Sequence, residues 1–120
     1  MAPRTTEAIG REWIEAFNAR DLTRLLALYA EDCTHTSPKL RAQKPETQGK
    51  VVGKAALRAW WADAFARLPA LRYELKTVTA NAERVFLEYD RVLAGEPTML
   101  VAEAFDVRDG VIVASRVFHG

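Results

Sequence analysis

The chain has 120 residues, 49% of them hydrophobic, which suffices for one domain around a single apolar core. Lys+Arg 17 against Asp+Glu 16 leaves a net charge of +1, and no basic cluster is interleaved with aromatics, so nucleic acid is excluded as the main partner. The single cysteine, Cys33, cannot close an internal disulfide. The stretch MAPRTTEAIGREW is too polar for a leader and no later run spans a bilayer, which together predict a cytoplasmic protein with no membrane partner.

Ile9, Trp13, Ile14 and Phe17 form an apolar stripe that predicts a helix from Thr6. Thr5 or Thr6 caps its start, and Glu7 sits favourably against the helix dipole. NARD breaks it: Asn18 suits a left-handed exit and Asp21 an N-cap for a second helix carrying Leu22, Leu25, Leu26 and Tyr29. YAEDCTHTSP, Tyr29 to Pro38, then reads as the start of a strand. SPKLRAQKPETQGK, Ser37 to Lys50, is polar and basic with two prolines, and is either a solvated loop or a lid. A third helix begins near Gly53, carries Leu57, Trp60, Trp61, Ala64, Phe65 and Leu68, and stops at Pro69.

Beyond Pro69 the apolar period changes from 3.6 to 2. LRYELKTVTA alternates, RVFLEYDRVL and TMLVAEAFDV flank a turn at AGEP, and VIVASRVF follows the hairpin signal Asp109-Gly110. Helices first and an antiparallel meander after them make an α+β domain, with the helices packed on one face of a curved sheet. Alternation places Leu87, Tyr89 and Arg91 on one face. It does the same for Met99, Val101, Glu103, Phe105 and Val107, and for Val113, Ser115, Val117 and His119. Glu103 stands alone among four apolar residues on its face.

WIEAFNARDLTRLLALYAEDCTHTSP resembles the opening helices and first strand of the NTF2-like superfamily, in its SnoaL-like and ketosteroid isomerase-like branch. GKAALRAWWADAF resembles its third helix and FDVRDGVIVASRVFHG its closing hairpin, so the likeness runs from about Ile9 to Gly120. The resemblance implies a cone-shaped fold: three N-terminal helices on a curved, mainly antiparallel sheet that encloses a pocket. It implies that the faces named above line the cup, with Cys33, His35 and Ser37 from the first strand. In the isomerases an oxyanion-binding tyrosine occupies the place of Trp13, and the proton-shuttling aspartate the place of Ser37. A carboxylic acid donor matches Glu103. One role of three is therefore kept in kind, which counts against steroid isomerisation. The arginine between two aspartates of the limonene epoxide hydrolases would fall at Tyr89, Arg91 and Val117, where only an arginine is present.

Two groups are candidates for catalysis. Glu103 is either a buried neutral acid, hydrogen-bonded by Tyr89 if positions 89 and 103 pair, or an ionised partner of Arg91. His35 is either a proton acceptor facing the cup or a histidine bonded to a neighbouring group. The expected lining is Trp13, Tyr29, Ser37, Trp61, Leu87, Tyr89, Arg91, Val101, Phe105, Val117 and His119. Trp60 and Trp61 point about 100° apart, so one of them is expected in core or rim. Cys33 reads as a small buried hydrophobe or a nucleophile. His35, Cys33, Glu103 and His119 lack close ligand spacing, so no metal and no cofactor are expected. These features predict an isomerase, cyclase or dehydratase acting by proton transfer on a small apolar carbonyl compound, or a non-catalytic cup for an apolar or weakly anionic ligand, or a dimeric interaction module whose cup is vestigial. The half-apolar outer face, with Phe86, Val92, Leu100, Ala102, Ala104, Ile112 and Phe118, predicts a homodimer.

Overall fold

Helix α1 (Thr6–Asn18) starts where Thr5 accepts a hydrogen bond from the Ala8 backbone N–H, and it buries Ile9, Trp13, Ile14 and Phe17. Its exit departs from expectation. The left-handed residue is Arg20, and Asn18 instead clamps Tyr73: its Nδ2 donates to the Tyr73 carbonyl at 2.7 Å and its Oδ1 accepts from the Tyr73 N–H at 2.8 Å. Asp21 caps α2 (Leu22–Leu26) by accepting from the Arg24 N–H. That helix ends before Tyr29, which the apolar spacing assigns to it but which opens strand β1 (Tyr29–Thr36).

The computed structural model describes residues 5–119. Residues 1–4, part of the stretch read as lacking a leader, and Gly120, the end of the family resemblance, lie outside them. The segment predicted as a loop is folded. Ser37 accepts from the Lys39 N–H and Pro38 takes the first position of α3 (Pro38–Gln43), which suits a residue with no N–H to satisfy. Leu40, fully buried, pins that helix down. A 3-10 turn and β2 (Lys50–Val52) follow, so the described residues hold four α-helices rather than three. Helix α4 (Lys54–Arg67) ends just before Pro69.

The remaining strands are β3 (Arg72–Ala80), β4 (Arg84–Val92), β5 (Met99–Arg108) and β6 (Val111–His119), and the six-stranded sheet runs β2-β1-β6-β5-β4-β3. Only β1 and β6 pair in parallel; the other pairings are antiparallel. Asp109 and Gly110, both at positive φ, form the two-residue turn between β5 and β6. A bulge there places Asp106 opposite Ala114 but Val107 opposite Ile112. The extra residue is Val113, so alternation reverses: Ile112 is fully buried, where its parity predicted the outer face, and Val113 is half-buried. Similar irregularities in β1 and β3 help the sheet to curve over α1.

Trp13 is the centre of the core, with ring centroids within 6.2 Å of Phe17, Trp61, Tyr73, Tyr89 and Phe105. The helix can lie this close to the sheet because residue 10 has no side chain. A Cβ at Gly10 would stand 2.9 Å from Val85 Cγ2 and 3.0 Å from Leu87 Cδ2. Gly10→Ala gains about 1 kcal/mol of helix propensity but overpacks the contact, at about 1–3 kcal/mol. Denaturant titration should therefore find the variant less stable than wild type by about 1 kcal/mol; a stabilised variant would contradict this packing.

Candidate functional site

Helices α1, α3 and α4 and the inner faces of β1, β3, β4, β5 and β6 surround a cavity of about 190 Å³. That is below the roughly 300–1,000 Å³ typical of sites for drug-sized ligands, and it admits a small organic molecule. His35 and Glu103 both line it, with Trp13, Ser37, Trp61, Tyr89, Arg91, Val101, Val117 and His119. Leu87, Tyr29 and Phe105 do not line it; they are buried one layer behind its wall. Trp60 lines it together with Trp61, and both are buried. The wall also includes Phe17, Leu68, Leu71 and Tyr73, and the polar Lys39, Gln43, Arg67 and Glu96. Lys39, Gln43, Arg67 and Glu96 have no period-2 face to assign them to, because they lie on helices and a loop, whereas Tyr73 lies on β3 and Leu71 just before it.

Glu103 sits between Val101 and Phe105 on its strand face, opposite Leu87 and Val117, and is 1% exposed. Its Oε1 accepts from the Tyr89 hydroxyl at 2.8 Å, while Oε2 is buried with no partner among the described residues. The predicted register is off by one pair: Tyr89 faces Val101, so this hydrogen bond is diagonal. Arg91 faces Met99 and places its Nη1 2.7 Å from Glu96, leaving Glu103 without a cation. Burial pushes the Glu103 carboxyl up to about 8, against the opposing pull of the Tyr89 hydrogen bond. Of the two fates open in the sequence, the ion pair with Arg91 is not formed, and burial favours the protonated form.

His35 ends a buried chain of hydrogen bonds. Trp13 Nε1 donates to Tyr29 Oη at 3.1 Å, Tyr29 Oη donates to Ser115 Oγ at 3.3 Å, and Ser115 Oγ lies 2.6 Å from His35 Nδ1. An indole only donates, which orients the chain. The one acceptor near the Ser115 hydroxyl proton among the described side chains is then His35 Nδ1, so the neutral imidazole carries its proton on Nε2. Burial lowers the His35 pKa to about 4. The ring is thus held neutral, with Nδ1 engaged by Ser115 and Nε2 free to carry the N–H. Ser115, which alternation places on the cup face, supplies the hydrogen bond at Nδ1.

Trp13, at the isomerase tyrosine position, spends its N–H on Tyr29 rather than on a ligand. Ser37, at the aspartate position, caps α3. Cys33 is buried in the core. His119 sits at the cavity mouth, its pKa lowered by burial and by Lys39 and Arg91. Among the described residues no three His, Cys, Asp or Glu side chains gather as metal ligands. No helix among the described residues is long and apolar enough to cross a membrane.

The two buried groups act oppositely on stability. Glu103 keeps a proton that the unfolded chain releases near 4.5, so its contribution is full below that pH and is lost as pH rises through about 8. His35 refuses a proton that the unfolded chain takes up near 6.5, so its contribution is lost as pH falls through about 4. Between pH 6.5 and 8 Glu103 acts nearly alone. Unfolding free energy should fall by about 1–2 kcal/mol across that window, and Glu103→Gln should flatten the fall. A flat wild-type profile would mean that the carboxyl group is ionised.

Comparison with known proteins agrees with this architecture. The model of the SnoaL-like domain matches residues 10–115. A SnoaL-like protein of unknown function from Burkholderia thailandensis superposes with a TM-score of 0.85 at 28% identity, covering 96% of this chain and 93% of that one. A candidate ketosteroid isomerase from Kribbella flavida superposes with a TM-score of 0.79 at 19% identity, over 96% and 77% of the two chains. A protein with a ketosteroid isomerase-like fold from Catenulispora acidiphila, in complex with trimethylamine, gives 0.73 at 19% identity, over 95% and 86%. No curated protein matches the chain. The extent of the family match shows that the chain belongs to the SnoaL-like domain family, built on the NTF2-like fold.

Proposed function

We propose that the protein is a cofactor-independent isomerase that moves a proton next to the carbonyl of a small organic compound, with Glu103 as the proton carrier. The observation that carries this reading is the buried Oε2 of Glu103, which has no protein partner among the described residues and belongs to a cavity-lining side chain. A carboxyl group held near 8 is a stronger base than an ordinary carboxylate, and a useful fraction of it is still ionised at neutral pH. In the proposed step the carboxylate takes a proton from the carbon beside the carbonyl. The C–H electron pair becomes the enolate C=C bond, and the carbonyl π pair moves onto oxygen. His35 Nε2–H donates to that oxygen, a role that suits an imidazole too weakly basic to be protonated. Glu103 then returns the proton to another carbon of the conjugated system. His35 and Glu103 stand two strands apart, roughly 10 Å across the sheet, so they suit opposite sides of one molecule.

The test is deuterium uptake from heavy water by a panel of β,γ-unsaturated and saturated ketones. Exchange should rise with pH through about 8 as Glu103 ionises. It should fall at least about 100-fold in Glu103→Gln and less steeply in His35→Ala. A second reading is favoured by the neutrality of both groups at pH 7, which makes them two hydrogen-bond donors on opposite sides of a bound molecule without an ionised base. In that case the cup binds without turnover: the wild type shows no exchange, and Glu103→Gln only weakens ketone binding.

We also propose a homodimer through the outer sheet face. Phe86, Leu100 and Phe118 are 36%, 44% and 49% exposed there, around the small Ala102 and Ala104. Ile112, predicted on that face, is excluded from it by the bulge. Sedimentation should give a dimer at tens of micromolar and a monomer for Phe118→Glu; a wild-type monomer would refute the contact.

A further inference from the structure

The cavity is polar in an uneven way. Its floor holds the neutral Glu103, and its mouth holds ionised groups whose charges do not cancel. Arg91, 7% exposed, extends from β4 along the cavity wall, and among the described residues Glu96 engages one of its five N–H donors. Lys39, half-buried on the first turn of α3, lines the same mouth and acts electrostatically on both Glu96 and His119. It makes no ion pair among the described residues. Arg67 also lines the cavity, but it is satisfied by Asp63 and Gln43. With His119 neutral, Lys39 and Arg91 against Glu96 leave an excess of positive charge at the entrance.

The Arg91–Glu96 pair is also uneven. Arg91 has a side chain only 8% exposed, whereas Glu96, on the loop between β4 and β5, has one 47% exposed. A carboxylate that keeps so much water gains little from its partner. A guanidinium so buried needs a counter-charge at all times. Glu96 therefore supplies a charge that an incoming anion can replace at small cost.

We propose that Arg91 and Lys39 form a carboxylate subsite at the cavity mouth, with Glu96 as the displaced counterion, so that the ligand is a small oxo acid rather than a neutral ketone. The proposal rests on the proton-transfer reading for the carbonyl end of that ligand. Arg91 lies four residues along β4 from Leu87, the residue opposite Glu103, which is roughly 13 Å of strand. The two side chains shorten this from both ends, but carboxylate and carbonyl still belong several bonds apart. A 2-oxo acid is too short to reach both.

The experiment uses 3-benzoylpropionate and its primary amide, an aromatic ketone acid and its uncharged isostere, titrated calorimetrically into the full chain. Wild type should bind the acid at least tenfold more tightly than the amide. Arg91→Gln should erase the difference. Glu96→Gln should tighten the acid several-fold relative to the amide, and because Glu96 is on an exposed loop this variant informs even if Arg91→Gln fails to fold. Equal affinities in wild type, no binding of either probe, or acid binding weakened in Glu96→Gln would each overturn the subsite. Deuterium exchange into the amide, which needs no carboxylate site, tests the proton-transfer reading separately. Exchange without acid preference sinks the subsite alone, and acid preference without exchange sinks the chemistry alone.

Discussion

The withdrawal of one carboxyl group from water is the constraint on which this site depends. Glu103 is surrounded on its strand by Val101 and Phe105 and across the sheet by Leu87 and Val117, and a single hydroxyl reaches it. One hydrogen bond from a neutral donor does not offset the loss of hydration, so the proton stays on. A cation beside the group would reverse this, and the fold withholds one. Arg91 shares the inner face but is turned to Glu96 at the entrance.

The same economy of charge governs His35. Its environment disfavours the imidazolium, and the chain from Trp13 through Tyr29 and Ser115 settles which nitrogen carries the proton. That chain runs from α1 through β1 to β6 and back to β1, so the tautomer is a property of the packed core and not of any one segment. Trp13 is at once the centre of the aromatic core and the origin of the chain. The arrangement leaves Glu103 and His35 neutral on the inner wall of the cavity and charged groups at its mouth.

This also accounts for the departures from the isomerase pattern. A tryptophan at the tyrosine position has one donor, and the neighbouring Tyr29 consumes it. A serine at the aspartate position is better used where it is, holding the first turn of α3, whose next residues line the mouth. The acid on β5 is retained, and here it is a buried carboxyl group on the cavity wall.

Local rules carried much of the fold. The apolar period identified α1, the body of α4 and the four long strands after Pro69. Asp109-Gly110 marked its hairpin because two positive φ angles in succession demand such residues. Alternation likewise brought Glu103, Tyr89, Arg91 and Ser115 to one face, since a side chain's side of a strand depends only on its parity. Where parity failed, at Ile112, a bulge had inserted one residue, and bulges answer to the partner strand rather than to the residue itself. Helix α3 escaped notice because six residues hold too little periodicity to show a face. The partners were beyond reach for the same reason. That Tyr89 bonds Glu103 diagonally, that Arg91 chooses Glu96 and that Ser115 directs His35 depend on register and on distances between segments far apart in the chain. Composition and spacing decided which groups could meet; only the packing of the sheet on α1 decided which ones did, and therefore which of them keep their protons.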